Sequence, residues 1–232
     1  MRVWAAGALL CFFLFAGAHA DEPTPTLTLQ RPALFVNVHD VAPDVLCQLR
    51  YLGADNFVGA PVEGYRANRC LLTRPAAEAL ARVDARLASF GLGLHLFDAY
   101  RPQRAVDHFV RWAQDVADTR TQAIYYPRLD KARLFPEGYI AKRSGHSRGS
   151  TVDVTLIERR TGQPLPMGTP FDFFGPESWP DDPGQKAEVR AHRLLLRTLM
   201  QSEGFMPYAQ EWWHFTLGNE PFPDTYFDFP VE

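Results

Sequence analysis

Residues 144–153 read SGHSRGSTVD, and the rest of the chain can be arranged around this stretch and its counterpart EWWH at residues 211–214. Together they supply two imidazoles and two carboxylates. A catalytic zinc site needs three protein ligands and one open position, with a further carboxylate as general base. We therefore predict that His146, Asp153 and His214 bind a metal ion and that Glu211 is the base of a zinc peptidase. The alternative for Glu211 is a structural carboxylate that orients a histidine.

The residues around Asp153 predict a β-strand. In TVDVTL, residues 151–156, apolar side chains alternate with threonine and aspartate. This period of two is typical of a half-buried strand, with Asp153 on the face opposite the core. Gly149 allows a tight turn that would bring His146 back beside Asp153.

The second stretch raises a geometric problem. In a regular strand, successive side chains point to opposite faces, so Glu211 would point away from His214. A bulge or bend at the start of the strand would bring both side chains to the metal.

The N-terminus predicts export. Residues 1–20 combine a basic start at Arg2, an apolar run over residues 3–15 and a small-residue cleavage site at residues 18–20, as in a signal peptide. The run is too short to span a membrane, and Leu10 before Cys11 disfavours a lipid anchor. We expect a periplasmic or secreted protein without a membrane anchor, formed by one domain over residues 21–232. Its net charge of −3 and the absence of a basic run disfavour nucleic-acid binding.

Two cysteines, Cys47 and Cys70, remain after removal of this leader. In an oxidising compartment a pair of cysteines favours a disulfide. The alternative is two unrelated buried thiols. Neither cysteine has a spacing that predicts a zinc ligand.

The remaining pattern predicts an α+β domain. Helical periodicity predicts helices over residues 75–90, 103–116 and 185–202, with Thr73 as the cap of the first. Strands are predicted over residues 35–38, 49–52, 92–98, 151–156 and 212–217. The connections are not regular parallel crossovers. We therefore expect a small, mostly antiparallel sheet flanked by helices.

The pattern SxHxxGxxxD at residues 144–153, followed by ExxH at 211–214, resembles the zinc-dependent D-Ala-D-Ala peptidases, and most closely the VanX-type dipeptidases. The resemblance covers nearly the whole chain after the leader. Further segments that carry it are RYLGADNF at 50–57, GYRANR at 64–69, DAYRP at 98–102, PMG at 166–168, FDF at 171–173 and YFDFP at 226–230. It implies a hedgehog/DD-peptidase-like fold, one Zn²⁺ per chain and a free D-Ala-D-Ala dipeptide as substrate.

The resemblance also implies roles at individual positions. Arg101 would stabilise the oxyanion, and Asp172 with Tyr51 would hold the substrate ammonium. The substrate carboxylate would be received at Tyr65, Ser144 and Gly145. Simpler interpretations stay open: Arg101 as a salt bridge at the start of a helix, and Asp172 as a turn residue.

Two rival functions also remain open. The first is a zinc D,D-carboxypeptidase that acts on peptidoglycan stem peptides, which would have an open groove beside Asp172. The second is a non-catalytic zinc module that binds wall fragments or a partner protein. Such a module has no need of a base at Glu211, and its presence therefore favours an enzyme.

Overall fold

The computed structural model describes residues 25–232 and forms the α+β architecture that the sequence predicts. The proposed signal peptide at residues 1–20 lies outside the described residues. Within residues 25–232 no helix is long and apolar enough to cross a membrane. The helices are α1 (Arg74–Ala88), α2 (Gln103–Gln114), the short α3 (Gln122–Tyr125) and α4 (Ala187–Ser202).

A five-stranded sheet forms the centre of the protein. Its strands are β3 (Leu46–Cys47), β5 (Leu92–Asp98), β6 (Thr151–Glu158), β8 (Glu211–Leu217) and β7 (Phe205–Tyr208), in that spatial order. Only the β3–β5 pair is parallel. The prediction of a mostly antiparallel sheet is therefore confirmed.

The central strand β6 differs from the prediction of a half-buried strand. Every residue from Thr151 to Ile157 is buried, including Asp153 and Thr155. The alternation of apolar and polar residues is real, but the polar face lies under the functional site and its loops instead of under solvent. The alternation therefore identifies the polar face of the strand, and in this protein that face is buried.

Two small sheets complete the fold. In one, β2 (Phe35–Asn37) pairs antiparallel with β4 (Leu71–Thr73); in the other, β1 (Thr26–Thr28) pairs parallel with β9 (Thr225–Phe227). The predicted strand over residues 49–52 is wrong, since Arg50–Leu52 form a 3₁₀ turn. Tyr51 is held there inside an aromatic cluster with Phe57 and Phe109, so tertiary packing overrides the strand propensity.

Helices α1 and α4 contact each other and cover one side of the sheet. Helix α1 turns its apolar stripe, which includes Leu80, Val83 and Leu87, into the core. Thr73 is the residue before α1, as predicted, but its hydroxyl makes no capping bond. That hydroxyl lies 2.6 Å from the Ser150 hydroxyl and so connects the start of α1 to the strand that carries Asp153.

A disulfide joins Cys47 to Cys70, with their Cα atoms 6.0 Å apart. It closes a loop between β3 and the residue that precedes β4, and this loop contains Tyr51 and Tyr65. Cys70 is fully buried.

Replacing both cysteines with alanine is expected to lower the free energy of unfolding by about 3 kcal/mol, because the unfolded chain regains the entropy of an open loop of this length. Urea denaturation of the oxidised wild type, the reduced wild type and the double variant measures this. The reduced wild type should lose nearly as much stability as the variant. A loss below about 1 kcal/mol in both would contradict the prediction.

Candidate metal and catalytic site

Three side chains from two neighbouring strands and a turn form a metal-binding cluster. Strands β6 and β8 pair so that Asp153 lies directly opposite His214. His146 Nε2 lies 3.2 Å from Asp153 Oδ1 and 3.3 Å from His214 Nδ1, and the last two atoms are 3.1 Å apart. The structure thus brings together His146, Asp153 and His214.

The spacing of these three nitrogen and oxygen atoms fits a divalent ion of the size of zinc. Nitrogen and oxygen ligands about 2.0–2.1 Å from a tetrahedral ion lie about 3.3 Å from one another. Two imidazoles and one carboxylate are also a ligand set that zinc prefers. His146 Nδ1 lies 2.7 Å from the Ala99 carbonyl oxygen. A bond from Nδ1–H to this carbonyl leaves the Nε2 lone pair free for a metal.

A 3₁₀ turn over Gly145–Arg148 positions His146. The Ser144 side chain accepts a hydrogen bond from the His146 backbone N–H at the start of this turn. At its end Gly149 adopts φ 82°, a left-handed conformation that favours glycine. The chain then enters β6, so the glycine reversal places His146 beside Asp153.

Gly149→Ala is expected to lower the free energy of unfolding by at least about 2 kcal/mol and to weaken metal binding. A Cβ atom there would overlap the Phe35 ring, which packs against Phe227 and Phe229. Gly91→Ala is the matched control, because Gly91 has a similar φ of 69° but open space around its Cβ position. Gly91→Ala should lower the free energy of unfolding by about 1 kcal/mol and leave metal binding unchanged. Equal effects of the two variants on unfolding and metal titrations would refute this.

Glu211 reaches the cluster because β8 is irregular at its start. The β7–β8 register shifts between Pro207 and Tyr208, so that Tyr208 lies opposite Glu211. Glu211 Oε2 then lies 3.5 Å from His214 Nδ1. Burial raises the pKa of Glu211 to about 7. A carboxyl group of this pKa is suited to accept and return a proton near neutral pH.

Arg101 follows β5 and lies beside the metal cluster. Its Nε donates to Asp98 Oδ2 at 2.8 Å and its Nη2 to Asp153 Oδ2 at 3.3 Å. The guanidinium also stacks over the rings of Tyr51 and Phe109, with its Cζ atom 5.0 and 5.1 Å from their centroids. The guanidinium is therefore fixed on several sides beside the metal ligands.

Asp172 is a buried carboxylate that lines the same cleft as the metal cluster. The Tyr51 hydroxyl lies 2.9 and 3.1 Å from its two oxygens and donates to them. Burial raises the pKa of Asp172 well above its usual value, and the charge of Asp153 adds to this. Asp172 also has φ 62°, which is strained for a residue other than glycine. A carboxylate held in this way is unfavourable until a cation approaches it.

The structure separates the three residues expected at the substrate carboxylate. Ser144 and Gly145 line the cleft. The Tyr65 ring is buried, and its hydroxyl donates to Asp98 Oδ1 at 2.7 Å. Among the described residues, Tyr65 is not part of the cleft lining.

The cleft that contains these groups has a volume of about 250 Å³. Arg101, Asp153, Asp172, Glu211 and His214 line it. Its other walls are mainly aromatic and apolar: Phe57, Val106, Phe109, Tyr139, Phe174, Tyr208 and Trp213.

Sequence reasoning assigned no role to two site residues. Asp98 contacts Arg101 and Tyr65 and is fully buried; its only signal was its place in the DAYRP segment. Tyr208 packs its ring 5.6 Å from the His214 ring. No pattern in the sequence could have identified Tyr208, because β7 itself was not predicted.

Comparisons with known proteins identify the family of the chain. A family model described as D-ala-D-ala dipeptidase, Peptidase_M15, matches residues 31–232. D-alanyl-D-alanine dipeptidases from Streptomyces coelicolor and Enterococcus faecalis are 47% and 43% identical to the chain over 197 residues, and each match covers 85% of this chain and 98% of the relative.

The relative from Enterococcus faecium, also a D-alanyl-D-alanine dipeptidase, is 40% identical over 198 residues. A solved structure of a variant of the vancomycin resistance D,D-pentapeptidase VanY with Zn(II) superposes with a TM-score of 0.40 and 12% identity, over 67% of this chain and 77% of that chain. The family match spans the metal cluster, Glu211 and Asp172. The chain therefore belongs to the D-Ala-D-Ala dipeptidase family of M15 peptidases.

Proposed function

We propose that this protein is an exported, zinc-dependent dipeptidase that hydrolyses free D-Ala-D-Ala to D-alanine. The observation that carries the proposal is the buried Asp172, which lies in the same small cleft as Glu211 and the metal cluster. The relatives that are 40–47% identical are D-alanyl-D-alanine dipeptidases, which supports the same substrate.

Asp172 favours a substrate with a free amino group. A substrate ammonium would neutralise the buried carboxylate that Tyr51 alone hydrogen-bonds among the described residues. An N-acylated peptide carries no such charge and would leave Asp172 buried without a cationic partner. The cleft of about 250 Å³ suits a molecule of the size of a dipeptide.

His146, Asp153 and His214 would hold the zinc ion, which when bound supplies Lewis-acid polarisation of the scissile carbonyl and of the attacking water. Glu211 accepts a proton from that water and returns it to the leaving amine, a role that its pKa of about 7 favours. Arg101 donates hydrogen bonds to the oxygen on which negative charge develops. Asp172 and Tyr51 orient the amino end of the substrate.

The leader at residues 1–20 supports export, and the Cys47–Cys70 disulfide fits an oxidising compartment. Precursor dipeptide is made in the cytoplasm, so a periplasmic or secreted enzyme is better placed to salvage dipeptide released from the cell wall than to destroy the precursor. Salvage is therefore the cellular role that we favour.

The second candidate is a D,D-carboxypeptidase that trims longer stem peptides. Such an enzyme needs an open groove beyond the scissile residue pair. Asp172 is 5% exposed and lines the cleft, so a peptide with a blocked amino end would leave this buried acid without a cationic partner. This geometry favours the dipeptidase.

The test is D-alanine release by the purified protein, without residues 1–20, from free D-Ala-D-Ala and from an N-acylated peptide that ends in D-Ala-D-Ala. Both are assayed with added zinc and with a chelator. We expect turnover of the free dipeptide only, lost with the chelator and restored by zinc. Turnover of the acylated peptide at a similar rate would show that the protein is a carboxypeptidase and reject the dipeptidase assignment. No turnover of either substrate by zinc-loaded protein would reject both.

A further inference from the structure

Asp98 is a fully buried carboxylate at the end of β5, and it is not one of the metal-binding group His146, Asp153 and His214. The β5–β6 register shifts between Leu96 and Asp98, so that Asp98 lies directly opposite Asp153. Two buried carboxylates on adjacent strands repel each other unless a cation lies between them. Within residues 25–232, His146 and Arg101 contact both carboxylates, and Arg101 is the one of the two that is always charged.

Asp98 holds one edge of this guanidinium. Its Oδ2 accepts from Arg101 Nε at 2.8 Å, while its Oδ1 accepts from the Tyr65 hydroxyl at 2.7 Å. The neighbouring nitrogen, Arg101 Nη2, reaches Asp153 Oδ2 at the longer distance of 3.3 Å. The shorter contact with Asp98 therefore dominates the position of Arg101.

The remaining nitrogen of Arg101 is free to act on a ligand. Nη1 has no hydrogen-bond acceptor among the described residues, and it is not one of their buried, unsatisfied polar atoms. Arg101 lines the cleft. Because Asp98 binds Nε and the rings of Tyr51 and Phe109 lie beside the guanidinium, Arg101 is held at the cleft wall before a ligand binds.

We propose that Asp98 is a positioning residue that acts through Arg101: it holds the guanidinium away from the metal ligand Asp153 and keeps a donor available for the developing oxyanion. The inference rests on the proposed dipeptidase function. Without the charge of Asp98, Asp153 is the only carboxylate of residues 25–232 left in a salt bridge with Arg101. The guanidinium would then move towards a metal ligand and away from the reacting oxygen.

Asp98→Asn tests this because asparagine has the same shape and can still hydrogen-bond Tyr65. We expect kcat for D-Ala-D-Ala to fall about 30- to 100-fold, with a change of less than about 3-fold in KM and in zinc affinity. KM should be nearly unchanged because Asp172 still receives the substrate ammonium. Zinc affinity should stay because His146 Nδ1 lies 2.7 Å from the Ala99 carbonyl oxygen but 3.7 Å from Asp98 Oδ2.

The decisive measurement is a double-mutant cycle with Arg101→Lys. If Asp98 acts through Arg101, Asp98→Asn should lower kcat by less than about 3-fold in the Arg101→Lys background. Asp84→Asn is the control, since Asp84 is also a buried aspartate paired with an arginine, Arg159, but does not line the cleft. It should change kcat by less than about 3-fold.

Equal effects of Asp98→Asn in both backgrounds, or a parallel loss of zinc affinity, would overturn the proposal and make Asp98 a structural or metal-site residue. If Asp98→Asn does not fold, Asp98→Ser replaces it in the same cycle, since serine also keeps an acceptor for Tyr65. Failure of the wild type to cleave D-Ala-D-Ala would instead reject the proposed function, so the two failures are distinguishable.

Discussion

Glu211→Gln is expected to lower kcat for D-Ala-D-Ala by about 10³- to 10⁴-fold while the protein still binds one zinc ion. Glutamine fills the same space beside His214 but cannot accept a proton from the attacking water. Because Glu211 is not one of the three residues in the metal cluster, zinc binding should change little. Steady-state kinetics and the metal content of the purified variant measure the two effects.

Two control variants test whether Glu211 is the general base or a structural carboxylate. His146→Ala should lose both zinc and activity, because it removes a ligand. Glu188→Gln, on the exposed side of α4, should leave both unchanged. If Glu211→Gln keeps more than about a tenth of the wild-type kcat, or loses zinc as His146→Ala does, Glu211 orients His214 and is not the base.

Asp172→Asn is expected to lower kcat/KM for the free dipeptide by about 10²- to 10³-fold. Asparagine keeps a hydrogen-bond acceptor for Tyr51 but removes the charge that pairs with the substrate ammonium. Relative to the wild type, the variant should also discriminate less between free D-Ala-D-Ala and an N-acylated peptide. Competition assays with the two substrates measure this ratio.

Tyr51→Phe is the matched variant for this prediction, because it removes the hydroxyl bound to Asp172 and keeps the carboxylate. We expect a loss of about 5- to 10-fold in kcat/KM, much smaller than that of Asp172→Asn. A loss below about 3-fold in Asp172→Asn would reject its role at the ammonium. Asp172 would then be a strained turn residue without contact to the substrate.

Local sequence was sufficient to predict the strand around Asp153 and the turn beside it, whereas the contact with His214 depends on the β6–β8 register. The alternation around Asp153 placed its side chain on one face of a strand, and Gly149 predicted the reversal that returns His146 to it. The spacing of Glu211 and His214 required an irregular strand, and β8 has one. These predictions succeeded because strand periodicity and glycine conformation act within a few residues.

The arrangement of the substrate end depends on contacts that are remote in sequence. Tyr51 meets Asp172 across 121 positions, and Tyr65 meets Asp98 across 33. The resemblance placed Tyr65 at the substrate carboxylate, whereas the fold pairs its hydroxyl with Asp98. The same holds for Arg50–Leu52, where aromatic packing produces a 3₁₀ turn in place of a strand.

The sequence by itself thus determined the strand that carries Asp153 and the turn that carries His146, since each depends on a few neighbouring residues. The third member of the cluster, His214, meets Asp153 only because β6 pairs with β8. Only the tertiary structure decided which charges face one another. Asp98 lies opposite Asp153 because the β5–β6 register shifts, and Arg101 contacts both of these buried carboxylates. Electrostatic partners in a buried cleft are selected by sheet register and chain packing, which no local pattern encodes.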